Sequence, residues 1–437
     1  MKQLLILLAL LIVVSEGFST GDEKTTAKLR DKIDQLSKEV EAKVIEWRHD
    51  IHQNPELSNR EFKTAEKIAK HLKSLGIEVQ TGVAHTGVVG ILKGGKPGPV
   101  MALRADMDAL PVVERVDIPF KSVEKSTYNG LDVGVMHACG HDTHVAILMG
   151  VAEVLSQVKG ELEGTVKFIF QPAEEGAPLG EEGGAELMVK EGALKNPDVD
   201  AIFGLHINSA TEVGKIKYKS GGTLAAANSF NITLTGKQTH GSAPWSGLDP
   251  IVAAAQIINN VQTIVSRSIQ LTKEAAVVSF GSIHGGVRNN IIPEEVKMEG
   301  TIRALDYDMQ KKIFERLETI VINTAESNGV KVDFKINHGV PITYNDPKLT
   351  AKMVPTLVRV AGTDNVIESK AITGAEDFSY FQKEVPGLFI FLGGMPKGQD
   401  SADAAPHHTP DFFIDDSGLI LGVRVMSNLV VDYATQD

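Results

Sequence analysis

The sequence predicts an α/β domain with helices on both faces of a mixed sheet, interrupted by an inserted, smaller α+β domain. Three observations carry that expectation. Short apolar runs at 88–92, 100–104, 165–170, 201–205 and 388–392 have the length and composition of buried strands. Helical stretches near 142–158 and 347–361 separate some of them, and such alternation implies a sheet covered on both faces. Between these parts the pattern changes to strand, helix, strand, strand, helix, strand, the order of a split ferredoxin-like unit.

Taken in chain order, the N-terminus has the pattern of an export signal. Met1 and Lys2 precede an unbroken apolar run at 4–14, followed by the small residues Ser15, Gly17 and Ser19. Residues 1–19 are therefore expected to be a signal peptide, and the protein to be periplasmic or secreted. Eleven apolar residues are too few to span a bilayer, which takes roughly 20, so no stable membrane anchor is expected. From 25 to 52 the spacing of Leu29, Ile33, Leu36, Val40, Val44 and Trp47 is helical. After a break at Asn54-Pro55-Glu56-Leu57, Ser58 and Glu61 form the pattern of a capping box opening a second helix that stops at Gly76. The first part of the α/β domain is placed at 24–215. The inserted domain at 216–340 has strands at 230–235, 277–283, 296–303 and 332–336 and helices at 250–267 and 309–328. The remainder, 341–437, returns to the α/β domain.

Composition excludes several functions. With 44 basic and 56 acidic residues the formal charge is −12, the wrong sign for a general nucleic-acid binder, which must neutralise phosphates. The single cysteine, Cys139, rules out an intramolecular disulfide framework.

Ligands of open α/β sheets bind beyond the carboxyl ends of the strands, and polar chemistry collects there. Asp106 and Asp108 follow the 100–104 run, Gln171-Pro172-Ala173-Glu174-Glu175-Gly176 follows 165–170, His206 follows 201–205, and His407-His408 follows 388–392 after a polar loop. The string MHACGHDTH adds His137, Cys139, His141, Asp142 and His144. This mixture of thiol, imidazole and carboxylate is that of a metal site. Asp106 and Asp108 are suited to orienting ligating imidazoles, with His137 and His144 as outer groups or exposed ones. Of Glu174 and Glu175, one can ligate while its neighbour accepts a proton from attacking water. His49, His52 and His71 read as surface residues. His240, at the end of the inserted domain's first strand, reads either as a group that stabilises an oxyanion or as a structural histidine.

These motifs resemble the di-metal amidohydrolases of the aminoacylase and carboxypeptidase clan, in the branch of auxin-conjugate (indole-3-acetyl-amino-acid) and hippurate hydrolases. The matching stretches are RHDIHQNPELSNREFKTA, LRADMDALP, MHACGHDTH, FQPAEEG, GLH, GKQTHGSAPW, NNIIPEEVKMEGTIR, GAEDFSYF and HHTPDFFIDD, spanning residues 48 to 416. The resemblance implies two divalent metal ions per subunit, Mn or Zn with Co as a further option, held by Cys139, His141, Glu175, His206 and His408, with Cys139 bridging. His408 is selected over His407 because the family ligand is followed by one residue and then proline. It implies Glu174 as general base, His240 in contact with substrate across a homodimer interface made by the inserted lid domain, and Asn290 and Arg303 on the substrate's α-carboxylate. The expected reaction is hydrolysis of an N-acyl-amino acid to a carboxylic acid and a free amino acid. The rivals are a metal-dependent carboxypeptidase or dipeptidase and a thiol hydrolase using Cys139.

Overall fold

A computed structural model describes residues 2–435, with side chains from Glu23 onward, so Met1 and the side chains of the expected export segment 1–19 lie outside what it describes. In chain order the helices used below are α1 (Lys2–Gln53), α2 (Phe62–Ser74), α3 (His141–Gln157), α4 (Gly184–Lys190), α5 (Pro250–Thr263), α6 (Tyr307–Ser327), α7 (Pro347–Ala361) and α8 (Leu419–Thr435). The strands are β1 (Glu78–Val83), β2 (Gly87–Lys93), β3 (Lys96–Asp106), β4 (Glu163–Gln171), β5 (Ala201–Glu212), β6 (Ile216–Tyr218), β7 (Ala226–Thr235), β8 (Ala276–Gly285), β9 (Glu295–Ala304), β10 (Lys331–Asn337), β11 (Val366–Glu368) and β12 (Gly387–Met395). Among the described residues no helix is long and apolar enough to cross a membrane.

The chain divides into two compact units. The first holds the chain up to Tyr218 together with Asp346–Ser369 and everything from Phe381 onward. Its sheet runs β1-β2-β4-β3-β5-β12-β6-β11, and β4, β3, β5 and β12 are parallel neighbours, so their carboxyl ends open on one rim. Alternate residues Val166, Phe168 and Phe170 of β4 join one apolar core with Ile33, Val40 and Val44 of α1, Ile147 and Val151 of α3, Leu357 of α7 and Val430 of α8. The opposite face is buried too: Lys167 points there, 1% exposed. Its ammonium donates to the carbonyls of Ala193 and Lys195 beyond α4. Burial lowers it to about 8, and those two acceptors supply the hydrogen bonds without which a buried ammonium would not be tolerated.

The second unit comprises Lys219–Asn345 and Lys370–Tyr380. Its main sheet has four strands in the order β8-β9-β7-β10, all antiparallel. Helices α5 and α6 cover them through a core that includes Phe230, Ile257, Ile302 and Leu317. Aspartates start three helices here and beside the unit: Asp249 ahead of Pro250, Asp306 ahead of α6, and Asp346 ahead of Pro347. Each accepts backbone N–H groups of the first turn, the usual arrangement for a cap followed by proline or an acid.

Two expectations need correction. The C-terminal segment 341–437 does not all belong to the first unit. Residues Lys370–Tyr380 join the second, because Ile372 N–H donates to Thr223 O at 3.1 Å and Ala225 N–H donates to Gly374 O at 2.8 Å. Nor do Ser58 and Glu61 cap α2: Glu61 sits at the cap position without a side-chain capping bond. The carboxylate of Glu56 accepts the N–H groups of Lys63 and Thr64 instead. The strands β1, β6 and β11, at or next to the sheet's edges, have no recognisable pattern in the sequence, because short, partly exposed strands carry little apolar signal.

Candidate metal centre

Five segments meet at the carboxyl rim of the first unit's sheet. β3 ends in Asp106 and leads to Asp108, β4 leads to Glu174 and Glu175, and the loop after β12 brings His407 and His408. His206 was expected just past a strand end; β5 in fact continues to Glu212, pairing His206 with Phe391 of β12. Cys139 and His141 flank Gly140, the residue ahead of α3, at φ 90°. A Cβ there would meet Ile207 Cγ2 at 2.4 Å, so glycine alone permits the turn that sets thiol and imidazole side by side. The His408 N–H donates to Ala138 O at 2.8 Å, tying the last loop to this turn.

Hydrogen bonding sorts the imidazoles. The Nδ1 of His206 lies 2.6 Å from Ile207 O, which can only accept, so Nδ1 carries the proton and Nε2 offers its lone pair, 3.4 Å from Cys139 Sγ. The Nδ1 of His141 bonds Asp108 Oδ1 at 3.1 Å, leaving a buried Nε2 with no hydrogen-bond partner. That atom lies 3.8 Å from Glu174 Oε2 and 3.9 Å from Glu175 Oε1. His408 Nε2 stands 3.3 Å from Cys139 Sγ and 3.1 Å from Glu175 Oε1. By contrast, the Ile207 N–H donates to His144 Nε2 at 2.8 Å, so His144 turns its Nδ1 proton to Asp106. Likewise the Ser209 N–H donates to His407 Nε2 at 3.3 Å, so the proton on His407 Nδ1 faces Cys139 Sγ at 3.6 Å. The expected donors Cys139, His141, Glu175, His206 and His408 therefore converge, and His144 and His407 support them. The expected role of Asp106 and Asp108 as orienting carboxylates matches their bonds.

The electrostatics call for a cation. Burial, together with the Glu175, Glu174 and Asp106 carboxylates, pushes the Cys139 thiol well above its ordinary value. Burial lowers His141, but Asp106 and Asp108, with Glu175, outweigh it and push the imidazole up to about 10. Asp106 resists the same burial because the Arg104 guanidinium, 2.6 Å away, and the two imidazoles hold its carboxyl well below the usual range. A thiol, an unpartnered imidazole nitrogen and two glutamates at this spacing are a donor set that divalent cations satisfy, and cations make a thiolate of the thiol. Asp108→Asn is expected to weaken divalent-metal affinity about 10–100-fold, the usual cost of removing such an orienting partner. Metal titration followed by calorimetry checks this.

The remaining expected residues lie elsewhere. His240 is exposed on the second unit, its Cα paired with Ile291 beside Asn290. The Ser242 N–H donates to His240 Nδ1 at 3.0 Å, so the neutral ring presents Nε2–H as a donor. Arg303 sits toward the far end of β9, opposite Ala227 and Val277. Within this unit it is not brought to His240 and Asn290. Among the histidines, His52 is a correction: it is 2% exposed and bonds Asp142 at 3.0 Å and Glu114 at 3.2 Å. Asp142 also accepts from Arg48 at 2.9 Å. Arg48 and His52 stand one helical turn apart on α1, a spacing that could have marked them as a pair. His137 is buried with neither ring nitrogen hydrogen-bonded to the protein.

The model of Peptidase family M20/M25/M40 matches residues 102–432. The chain is 39% identical over 410 residues to thermostable carboxypeptidase 2 of Saccharolobus solfataricus, covering 93% of this chain and all of that one. It is 36% identical over 436 residues to the IAA-amino acid hydrolase ILR1-like 2 of Arabidopsis thaliana, covering 98% and 93%. Among solved structures, a dinuclear metal-binding peptidase of the M20 family from Bacillus subtilis superposes with a TM-score of 0.75 at 33% identity, over 91% of this chain and 99% of that one. Matched along most of its length and carrying the donor set at its strand ends, the chain belongs to Peptidase family M20/M25/M40 and is a metal-dependent hydrolase of amide bonds.

Proposed function

We propose that the protein hydrolyses the amide bond of N-acyl-amino acids, releasing a carboxylic acid and a free amino acid. The observation that carries the proposal is the convergence of Cys139, His141, Glu175, His206 and His408 beside a second carboxylate, Glu174, 3.8 Å from His141 Nε2. Those five residues would hold the two divalent cations that the family resemblance implies. Bound there, the cations would polarise the scissile carbonyl and acidify the attacking water. Glu174 takes the proton from that water and returns it to the leaving amine. His240 Nε2–H donates to the oxyanion, and the Arg303 guanidinium with Asn290 receives the free carboxylate. The acidic surroundings of Cys139 speak against a thiol nucleophile, which needs a depressed pKa.

A pair of chains is part of the reading. Arg303 lies eight residues along β9 from Glu295, the end at which the Asn290 and His240 strands connect, or about 26 Å at about 3.3 Å per residue. An N-acyl-amino acid extends only about 7–10 Å at ~3.5 Å per residue-sized unit. One copy's Arg303 and the other copy's His240 can serve one substrate in a homodimer formed through the second unit, acting as a lid.

The test is a panel of N-acetyl, benzoyl, indoleacetyl and long-chain acyl-amino acids, each also with its carboxylate esterified, assayed with Mn, Zn and Co separately. Turnover of free acids and loss of turnover with the esters is the expected outcome. Inertness to the whole panel overturns the proposal, and cleavage confined to dipeptides transfers it to a carboxypeptidase-like activity.

A further inference from the structure

The segment that the sequence presents as a helix cap is turned inward. Because Glu56 caps α2, the side chains of Ser58 and Glu61 bond elsewhere: Glu61 reaches the loop that carries Glu174 and Glu175 directly, and Ser58 reaches it through Asp108. Ser58 Oγ donates to Asp108 Oδ2 at 2.7 Å, and the same oxygen accepts the Glu175 N–H at 3.0 Å. Glu61 has no exposed surface. One of its oxygens accepts the Ala173 N–H at 2.9 Å and the other accepts the Thr86 hydroxyl at 2.6 Å. Asn59 takes the far side of the loop, donating to Glu181 Oε2 and Glu182 O at 3.0 Å each. Thus three successive contacts, from Glu61, Ser58 through Asp108, and Asn59, grip residues 173, 175 and 181–182, with Glu174 between the first two.

The grip has a reason to exist. Ala173 adopts φ 51°, the left-handed region that a residue with a Cβ enters only when its surroundings compel it. The loop that follows this turn brings both carboxylates to His141 Nε2, Glu174 at 3.8 Å and Glu175 at 3.9 Å. The hydrogen bond that holds this residue's N–H comes from Glu61, whose partner Thr86 is itself buried.

We infer that Glu61 is a positioning residue for the reaction, setting the reach of Glu174 by holding the strained Ala173 turn, with Ser58 and Asn59 completing the brace. The inference rests on Glu174 as general base. The brace works by hydrogen-bond geometry: in Glu61→Gln the amide oxygen still accepts the Ala173 N–H, and the amide nitrogen donates to the Thr86 hydroxyl, which rotates to accept, so an uncharged side chain of the same shape can take its place.

Glu61→Ala and Glu61→Gln, in the full-length metal-loaded protein, test this through kcat, KM, bound metal and hydrogen exchange of the peptide containing Ala173. Misplacement of a catalytic group by about 1 Å costs on the order of 10²-fold. Glu61→Ala is therefore expected to lower kcat by about 10–100-fold while KM and bound metal hold, with faster exchange around Ala173. Glu61→Gln is expected to restore kcat to within about threefold and to restore the slow exchange. Unchanged kcat and exchange in Glu61→Ala overturns the inference. So does Glu61→Gln as impaired as Glu61→Ala, or a joint fall of metal content, KM performance and melting temperature, which marks a purely structural part. If Glu61→Ala does not fold, Ser58→Ala with the same measurements decides. Should wild-type protein turn over nothing on the panel, the reading of Glu174 fails, and the exchange comparison alone still upholds or overturns the brace.

Discussion

Glu174→Gln should lose about 10²–10⁴-fold in kcat, the range that a positioned general base contributes, while keeping its bound metal and its KM. The carboxylate lies 3.8 Å from the unpartnered Nε2 of His141, close enough to the donor set to reach a water lodged there. Glu175, by contrast, faces His408 at 3.1 Å and has its N–H fixed by Asp108. An amide at position 174 preserves shape and hydrogen bonding but cannot take a proton. The effect therefore appears in kcat and leaves substrate binding in place. Metal analysis beside steady-state kinetics checks it, and a rate within a few-fold of wild type would remove Glu174 from the mechanism.

Loss of metal should have an effect as large. Chelation is expected to abolish turnover, with recovery on adding Mn, Zn or Co, and Cys139→Ala is expected to be inactive even with metal supplied. Cys139 Sγ is the atom shared by His206 and His408, at 3.4 and 3.3 Å, so its removal opens both halves of the cluster. Taking away an orienting partner alone costs about 10–100-fold in metal affinity, and removing a donor between two sites should exceed that. A cation at about 100 times its Kd stabilises the folded state by about 2.7 kcal/mol, so the chelated wild type should also melt at a lower temperature. Activity that survives chelation but dies with Cys139→Ser would point to the thiol as nucleophile instead.

Much of the site was legible because it follows from strand order. Once β3, β4, β5 and β12 are recognised as parallel buried strands, whatever follows them must converge, and that placed Asp106, Asp108, Glu174, Glu175 and the His407-His408 pair on one rim. His52 was misjudged because a helical histidine on a charged face reads as solvated, and nothing local reveals that Asp142 from α3 will bury against it. The Ser58/Glu61 pattern was misjudged for a related reason. A capping box is a local hypothesis, and here the helix starts later, at Phe62, where Glu56 takes the N–H groups of Lys63 and Thr64. The choice between His407 and His408 came from the family pattern alone. The two rings lie beside the same sulfur, and only the backbone N–H of Ser209 on His407 Nε2 separates their roles.

The sequence by itself determined the strand and helix order, the interruption by a βαββαβ unit, and the residue types of the donor set. Those depend on periodicity and on short contiguous strings. Only the tertiary structure decided which imidazole nitrogen carries its proton, that Lys370–Tyr380 joins the second unit, and that Glu61 bonds Ala173 while Ser58 bonds Asp108. Each of these turns on hydrogen bonds between segments 30 or more residues apart, apart from the proton on His206, for which partner competition in three dimensions outweighs local propensity.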